Sequence, residues 1–250
     1  MVLKIGANEM VSGFFGRLFG KPEFPAVAPD KGLFVIGDIH GRADLLERLL
    51  DKARPNEQVV CVGDYVDRGE HSADVLALLI SRPDLICLRG NHEDMMLGFI
   101  RDPQTVGTQW LRHGGLQTIA SYGVSGVSGL SSEKDLVTLR DHVVEAVGSQ
   151  HLDWLNHLEY SYESGNVAVV HASADPELPI EDQSQRTLMW GHPKFLRTMR
   201  TDGIWVVHGH TIVDQANAEN GRIAVDTGAY ATGRLTAARI VPGSVEFIAA

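Results

Sequence analysis

From Leu33 onward the hydrophobic residues fall into short unbroken runs. Each run ends in a cluster of Gly, Asp, His or Asn, and a stretch with helical spacing follows. "LFVIGDIHG" (33–41) leads into "RADLLERLLDKA" (42–53), where Leu45, Leu46, Leu49 and Leu50 line one helical face. "QVVCVGDYVDRG" (58–69) precedes "SADVLALLISR" (72–82), and "DLICLRGNHE" (84–93) precedes "DMMLGFIRD" (94–102). Strand, polar loop and helix in repetition predict parallel strands joined by right-handed crossovers. Strands covered on both faces are continuously apolar rather than alternating, as these are. The middle, about 94–160, reads as helical with a break at "SYGVSGVSGLSS" (121–132), after which Ser132 and Asp135 fit a helix cap. The last third turns to β: "NVAVVHAS" (166–173), "GIWVVHGHT" (203–211), "RIAVDTG" (222–228), "LTAARIV" (235–241) and "VEFIA" (245–249), with Asn220-Gly221 predicted as a hairpin turn.

This pattern divides the chain into an appendage, residues 1–32, and an α/β body, residues 33–250, whose segment 94–160 is expected to pack as a helical lid. In the appendage "KPEFPAVAPDKG" (21–32) carries three prolines and reads as a linker behind a disordered or loosely docked tail. No apolar segment approaches the ~20 residues that span a bilayer, and no secretory signal stands at the N-terminus, so a cytoplasmic location without stable membrane insertion is the expectation. A hydrophobic content of 44% and a charged content of 22% are ordinary for a globular protein. The net charge of −10 argues against a nucleic-acid partner, which needs a basic face. An acidic protein that handles phosphate must supply local positive charge, from arginine or from metal ions. The two cysteines, Cys61 and Cys87, lie inside apolar runs and read as reduced, packed residues.

The candidate chemistry sits where apolar runs end. Asp38 and His40, then Asp64, Asp67 and Arg68, then Asn91 and His92, then His171, then His208 and His210 all follow expected strands. Ligands in parallel α/β sheets bind outside the carboxyl ends of the strands. A mixture of carboxylate, amide oxygen and imidazole suits Mn, Fe or Zn, and with two cysteines no thiolate site is available. Such a cluster assembles on one sheet edge only with a compensating charge. Asp226 in "VDTG" reads as structural, Glu93 as a helix-start residue and Arg89 as loop support.

The blocks "GDIHG" (37–41), "GDYVDRG" (63–69), "LRGNHE" (88–93), "VVHA" (169–172) and "HGHT" (208–211) resemble the phosphoprotein phosphatases of the calcineurin-like metallophosphoesterase superfamily, the bacterial and phage types above all. The resemblance implies a four-layer α/β/β/α sandwich with a dinuclear metal site between the sheets, manganese first with iron or zinc as alternatives. It implies Asp38, His40 and Asp64 on one metal, and Asp64, Asn91, His171 and His210 on the other, with His208 as the competitor of His210. It further implies in-line attack on phosphorus by a water that the two cations have deprotonated. Phosphate would be bound by Arg68, Asn91, His92 and His192, and His92 would be the general acid, oriented by Asp67.

Two positions depart from that pattern. Ser173 replaces an expected glycine, and His192 in "LMWGHPKFL" stands where relatives carry a second phosphate-clamping arginine, with Arg186 and Arg197 as substitutes. The resemblance points to a serine/threonine protein phosphatase acting on phosphoproteins or phosphopeptides. A symmetrical dinucleoside polyphosphate hydrolase and a metal-binding protein with little turnover are the alternatives. Oligomeric state and physiological substrate are not legible. Histidine lacks the bidentate fork of arginine, so His192→Arg is expected to lower the Michaelis constant for p-nitrophenyl phosphate in steady-state assays.

Overall fold

A computed structural model describes residues 24–125 and 133–250. The tail before residue 24, most of the glycine-serine break and the Ser132 cap lie outside the described residues. Two five-stranded sheets face each other. The first has the order β10-β9-β1-β2-β3, built from β1 (Leu33–Ile36), β2 (Gln58–Cys61), β3 (Ile86–Cys87), β9 (Thr236–Val241) and β10 (Ser244–Ala249). The second has the order β4-β5-β6-β8-β7, from β4 (Ser161–Ser164), β5 (Val167–Val170), β6 (Trp205–His208), β7 (Asn217–Glu219) and β8 (Arg222–Ala224).

Pairing follows the crossover logic. β1, β2 and β3 run parallel, with Leu33 opposite Gln58 and Ile36 opposite Cys61, and β5, β6 and β8 do the same in the second sheet. Antiparallel strands occupy the remaining positions. Helices α1 (Ala43–Leu50) and α2 (Ser72–Ile80) return the chain between parallel strands, and α3 (Asn91–Arg101) follows β3. Next come α4 (Pro103–Trp110), a widened turn at Leu111–Gly115, α5 (Leu116–Ser121) and α6 (Glu133–Asn156). Helix α7 (Gln185–Trp190) covers the second sheet, and α8 (Ala229–Thr232) closes the loop after β8.

Alternate residues of one strand serve two cores, which explains the unbroken apolar runs. On β1, Leu33 and Val35 join Val60, Val169, Val207 and Ile223 between the sheets. Phe34 and Ile36 face the other way, toward Leu46 and Leu49 of α1 and Leu76 of α2. Phe99, Trp110, Ile119, Leu139 and Val143 of the 94–160 segment enter that same outer core. Ala168, Val170 and Val206 meet Leu188 and Phe195 on the far side of the second sheet. Each fully buried aliphatic side chain contributes about 1.5–3 kcal/mol, so the sheet edge that bears the polar loops is a stiff support.

Several boundaries differ from the expectation. The third strand shrinks to Ile86–Cys87, and its helix begins at Asn91 rather than Asp94 because Glu93 accepts the Gly90 N–H at 2.9 Å and caps the first turn. The polar edge strands β4 ("SYES") and β7 ("NAE") carry no apolar pattern and exist because β5 and β8 offer them a pairing partner. Asn220 and Gly221 take φ of 51° and 74° between β7 and β8, the left-handed pair that a tight hairpin needs. Among the described residues no helix is long and apolar enough to cross a membrane.

Residues 24–32, the described part of the proline-rich linker expected over 21–32, lie against the second sheet. Val27 is buried, Phe24 meets the Trp205 ring edge-on at 5.2 Å, and the Trp205 indole N–H donates to the Pro25 carbonyl at 2.7 Å. Asn166 accepts the Ala28 N–H at 2.6 Å and donates to the Ala26 carbonyl at 3.0 Å. Asn166→Ala is therefore expected to speed limited proteolysis within residues 24–32 and amide exchange at Ala28, as measured by mass spectrometry under native conditions.

Candidate metal centre and active site

The loops after β1, β2 and β6 bend in ways that ordinary residues resist. Among the described residues, six other than glycine take positive φ, and His40, Asp64, Asp67, Arg68 and His210 are five of them. Each such position costs on the order of 1–3 kcal/mol and persists only where its surroundings enforce it. Here backbone bonds do so: Ile39 and His40 N–H both donate to the Asp64 carbonyl at 3.1 and 2.7 Å, and Gly41 N–H to Tyr65 at 2.9 Å. Glu93 binds the loops from below. One of its buried oxygens accepts N–H bonds from Asp64 (2.8 Å) and Gly90 (2.9 Å), the other from Tyr65 (2.7 Å) and Val66 (3.2 Å). Burial, with the neighbouring Asp64 charge, pushes Glu93 up to about 7 against these donors.

Asp64 stands at the middle of two donor groups. Its Oδ2 lies 3.5 Å from His40 Nε2 and 3.9 Å from His92 Nε2, while its Oδ1 lies 3.5 Å from His171 Nε2. His40, Asp64 and His92 form one set with ligand atoms within 4.8 Å of one another, and Asp64, His171 and His210 form another. Asn91 Oδ1 is 2.9 Å from His171 Nε2 and 2.7 Å from His210 Nδ1. Asp38 belongs to neither set but stands beside them, its carboxylate accepting the His210 N–H at 3.0 Å. Gly209 is required beside it, because a Cβ there would collide with Asp38 Oδ1.

Three features show that this pocket fits cations. His40 donates Nδ1–H to the Val66 carbonyl at 2.8 Å, which leaves Nε2 as a buried lone pair without a hydrogen-bond partner. His171 likewise gives Nδ1–H to Val62 at 3.2 Å, so its Nε2 lone pair faces the oxygens of Asn91 and Asp64. Burial lowers His40 to about 3 and His171 to about 4, which keeps both rings neutral and able to coordinate. Asp38 is raised well above the carboxylate range by burial and by Asp226 and Asp64, and Asp226, which shares a hydrogen bond with Asp38, is raised to about 6, chiefly by burial. Lone pairs and carboxylates aimed at each other in a buried site call for divalent cations, and oxygen with imidazole suits a transition metal.

His92 sits on the rim of the first set. Its Nδ1 is 2.7 Å from Asp67 Oδ2, and although burial lowers its pKa, the carboxylates of Asp64 and Asp67 raise it overall. Asp67 is gripped in turn: Trp110 Nε1 donates to its oxygens at 3.0 and 3.1 Å, and Thr118 Oγ1 donates at 2.7 Å. Sequence reasoning missed Trp110 and Thr118. Both look like core positions of amphipathic helices, and only packing of the 94–160 segment brings them to Asp67.

Arg68 projects from the same loop, half-buried, with its guanidinium 4.8 Å from the centre of the Tyr230 ring. It borders a cleft of about 420 Å³ together with Arg112, His113, Gly114, Gln117 and Tyr230. Its N–H donates to the Gly114 carbonyl at 3.3 Å, and Gly114 takes φ of 112° at a place where a Cβ would stand 2.5 Å from Arg68 N.

Other sequence candidates fall elsewhere. His208 does not compete with His210: β6 ends at His208, and the positive φ of His210 turns that side chain toward Asn91. The His208 ring instead packs 4.9 Å from Phe195, a residue of the core on the far side of the second sheet, and burial lowers it to about 4. His192, expected at the phosphate, instead has its Nε2 3.6 Å from Asp175 and its Nδ1 buried without a hydrogen-bond partner. An arginine at position 192 would therefore have Asp175 as a rival partner to phosphate. Ser173 donates to the Thr187 carbonyl at 3.0 Å, and Arg89 donates to Leu155 and Tyr160 at 2.6 and 3.0 Å, supporting the loop below the site.

Comparison with known proteins matches the calcineurin-like phosphoesterase model over residues 33–214. Serine/threonine-protein phosphatase 2 of Salmonella typhimurium is 30% identical over 220 residues, covering 82% of this chain and 90% of the relative. An asymmetrical bis(5'-nucleosyl)-tetraphosphatase of Oceanobacillus iheyensis is also 30% identical, over 82% of this chain and 87% of the relative. Among solved structures, a putative diadenosine tetraphosphatase superimposes with a TM-score of 0.62 at 20% identity over 88% of this chain and 94% of that one, which establishes the shared fold. A cold-active protein-tyrosine phosphatase of a psychrophilic Shewanella gives 0.58 at 19% identity, over 89% and 83% of the two chains.

Glu93→Gln tests the loop clamp. The amide keeps one acceptor oxygen and turns an NH₂ group toward two backbone N–H donors, each left unsatisfied at about 1–3 kcal/mol. A loss of several degrees in Tm and weaker metal retention on dialysis are expected, read by calorimetry and elemental analysis.

Proposed function

The chain belongs to the calcineurin-like phosphoesterase family, and from that premise we propose that it is a metal-dependent phosphomonoesterase that removes phosphate from phosphoserine and phosphothreonine in proteins. The observation that carries this reading is Asp64 with one oxygen turned to each donor set, and the His92–Asp67 pair at its side. Asp38, His40 and Asp64 would hold one divalent cation; Asp64, Asn91, His171 and His210 would hold the other. Manganese is the first choice, with iron or zinc as alternatives. When bound, the pair supplies positive charge that polarises the phosphoryl group and makes water a better nucleophile near neutral pH.

The side chains do the rest. Arg68 binds two phosphoryl oxygens through its planar fork, with Tyr230 packed under the guanidinium to set its plane. Asn91 and His92 complete the phosphate contacts, whereas His192 is assigned only as the partner of Asp175. His92 presents Nε2–H to the leaving oxygen, because Nδ1–H is already given to Asp67. Asp67 holds that ring in place and favours its protonated form. Residues 33–250 act as one cytoplasmic catalytic domain with the 94–160 segment as its lid. The equal identity to a dinucleoside tetraphosphatase favours nucleotide hydrolysis as the second reading.

Purified chain loaded with manganese is expected to release phosphate from p-nitrophenyl phosphate and from phosphoserine peptides, to stop on chelation and to recover on readdition. His92→Ala is expected to lower kcat about 10²–10⁴-fold, the usual worth of a general acid. Metal-loaded protein that leaves phosphopeptides intact while cleaving diadenosine tetraphosphate would replace this reading with the second.

A further inference from the structure

Resting on the phosphoprotein reading above, we propose that the cleft beside Arg68 is a subsite for acidic residues flanking the phosphorylated one, with Arg112 as its specificity-determining residue. The chain carries a net charge of −10, yet no carboxylate lines this cleft of about 420 Å³. Its walls are Arg68, Arg112, His113, Gly114, Gln117 and Tyr230.

Several other surface guanidinium groups are neutralised. Arg42, Arg48, Arg82 and Arg140 each have a carboxylate oxygen within 3.1 Å. Among the described residues Arg68 and Arg112 have no ion pair. Arg186, Arg197, Arg222 and Arg234 have none either, but Arg222 and Arg234 are bonded to backbone carbonyls and the separate cavity that Arg186 borders, of about 330 Å³, also contains Asp94. The charged lining of the Arg68 cleft is thus cationic, whereas that of the Arg186 cavity is mixed.

Its position gives that charge a use. The widened turn Leu111–Gly115 breaks the helical spiral and places Arg112 and His113 outward, while the Gly114 carbonyl takes the Arg68 N–H at 3.3 Å. Arg112 is therefore tied, two residues away, to the backbone of the arginine assigned to the phosphate. A phosphoryl group on Arg68 leaves Arg112 free for a second negative charge on the same ligand. In an extended peptide the next side chains are a few ångströms on, at about 3.3 Å per residue. Gln117 and the Tyr230 hydroxyl supply neutral polar contacts on the same walls.

The test compares kcat/KM for two phosphoserine peptides, one with aspartate on both sides of the phosphoserine and one with alanine there, and adds diadenosine tetraphosphate as a third substrate. An exposed ion pair changes affinity about two- to fivefold, so wild-type enzyme is expected to prefer the acidic peptide by that factor or more. The preference should shrink as salt rises. Arg112→Ala should bring the ratio near one, Arg112→Glu should invert it, and Arg112→Lys should restore part of it, each variant melting like wild type. Equal rates on both peptides by metal-loaded wild type overturn the subsite and leave the phosphatase reading standing. A peptide ratio insensitive to Arg112, with diadenosine tetraphosphate turnover falling in Arg112→Ala, overturns the peptide class in favour of a nucleotide. No turnover of either peptide overturns the phosphatase reading and this subsite with it.

Discussion

Three carboxylates, Asp38, Asp64 and Asp226, are buried together where strands of both sheets end, with the lone pairs of His40 and His171 aimed among them. Like charges and unpaired acceptors cannot share a dry pocket without a counter-charge, because desolvation costs each ion several kcal/mol. Divalent cations resolve that conflict, and much else in the molecule can be read as the scaffolding that keeps it in place. The hydrophobic layers make the sheet edge rigid. The loops then hold donors where hydrophobic packing alone would never put them.

Strain at the site is held both by backbone bonds and by one buried side chain. His40, Asp64, Asp67 and Arg68 hold left-handed conformations. The buried Glu93 carboxylate gathers four N–H groups from the β2 and β3 loops to enforce that geometry. Glu93 itself opens helix α3, whose first two residues are the site residues Asn91 and His92. A helix start, a loop clamp and part of the donor set thus share three consecutive residues. Moving any one of them disturbs the other two.

The 94–160 segment reaches the chemistry through a chain of contacts. Trp110 packs on Phe99 in the outer core and points its indole N–H at Asp67, which holds His92. Four residues further on, Gly114 fastens the same segment to the Arg68 backbone. His92 and Arg68, the proposed proton donor and phosphate clamp, are therefore both held by one helical segment, which also carries the cationic wall of the cleft. A segment that supports the proposed site on one side and lines the neighbouring cleft on the other is well placed to set substrate preference.

The amino-acid sequence by itself determined the βα repetition, the parallel strands and the identity of the residues gathered at their ends. Buried strands must be apolar and their loops must be polar, and both facts are written locally. Asp38, His40, Asp64, Asn91, His171 and His210 were legible for that reason. Tertiary structure alone decided which of two nearby histidines enters the site, since His208 and His210 differ only in the backbone turn after β6. It also decided that His192 turns to Asp175, that Trp110 and Thr118 grip Asp67, and that β4 and β7 are strands at all. Those outcomes depend on partners between 17 and 51 residues away in the chain for the side chains, and on a neighbouring strand's unpaired edge for the strands. No local pattern encodes a contact whose other half lies that far off.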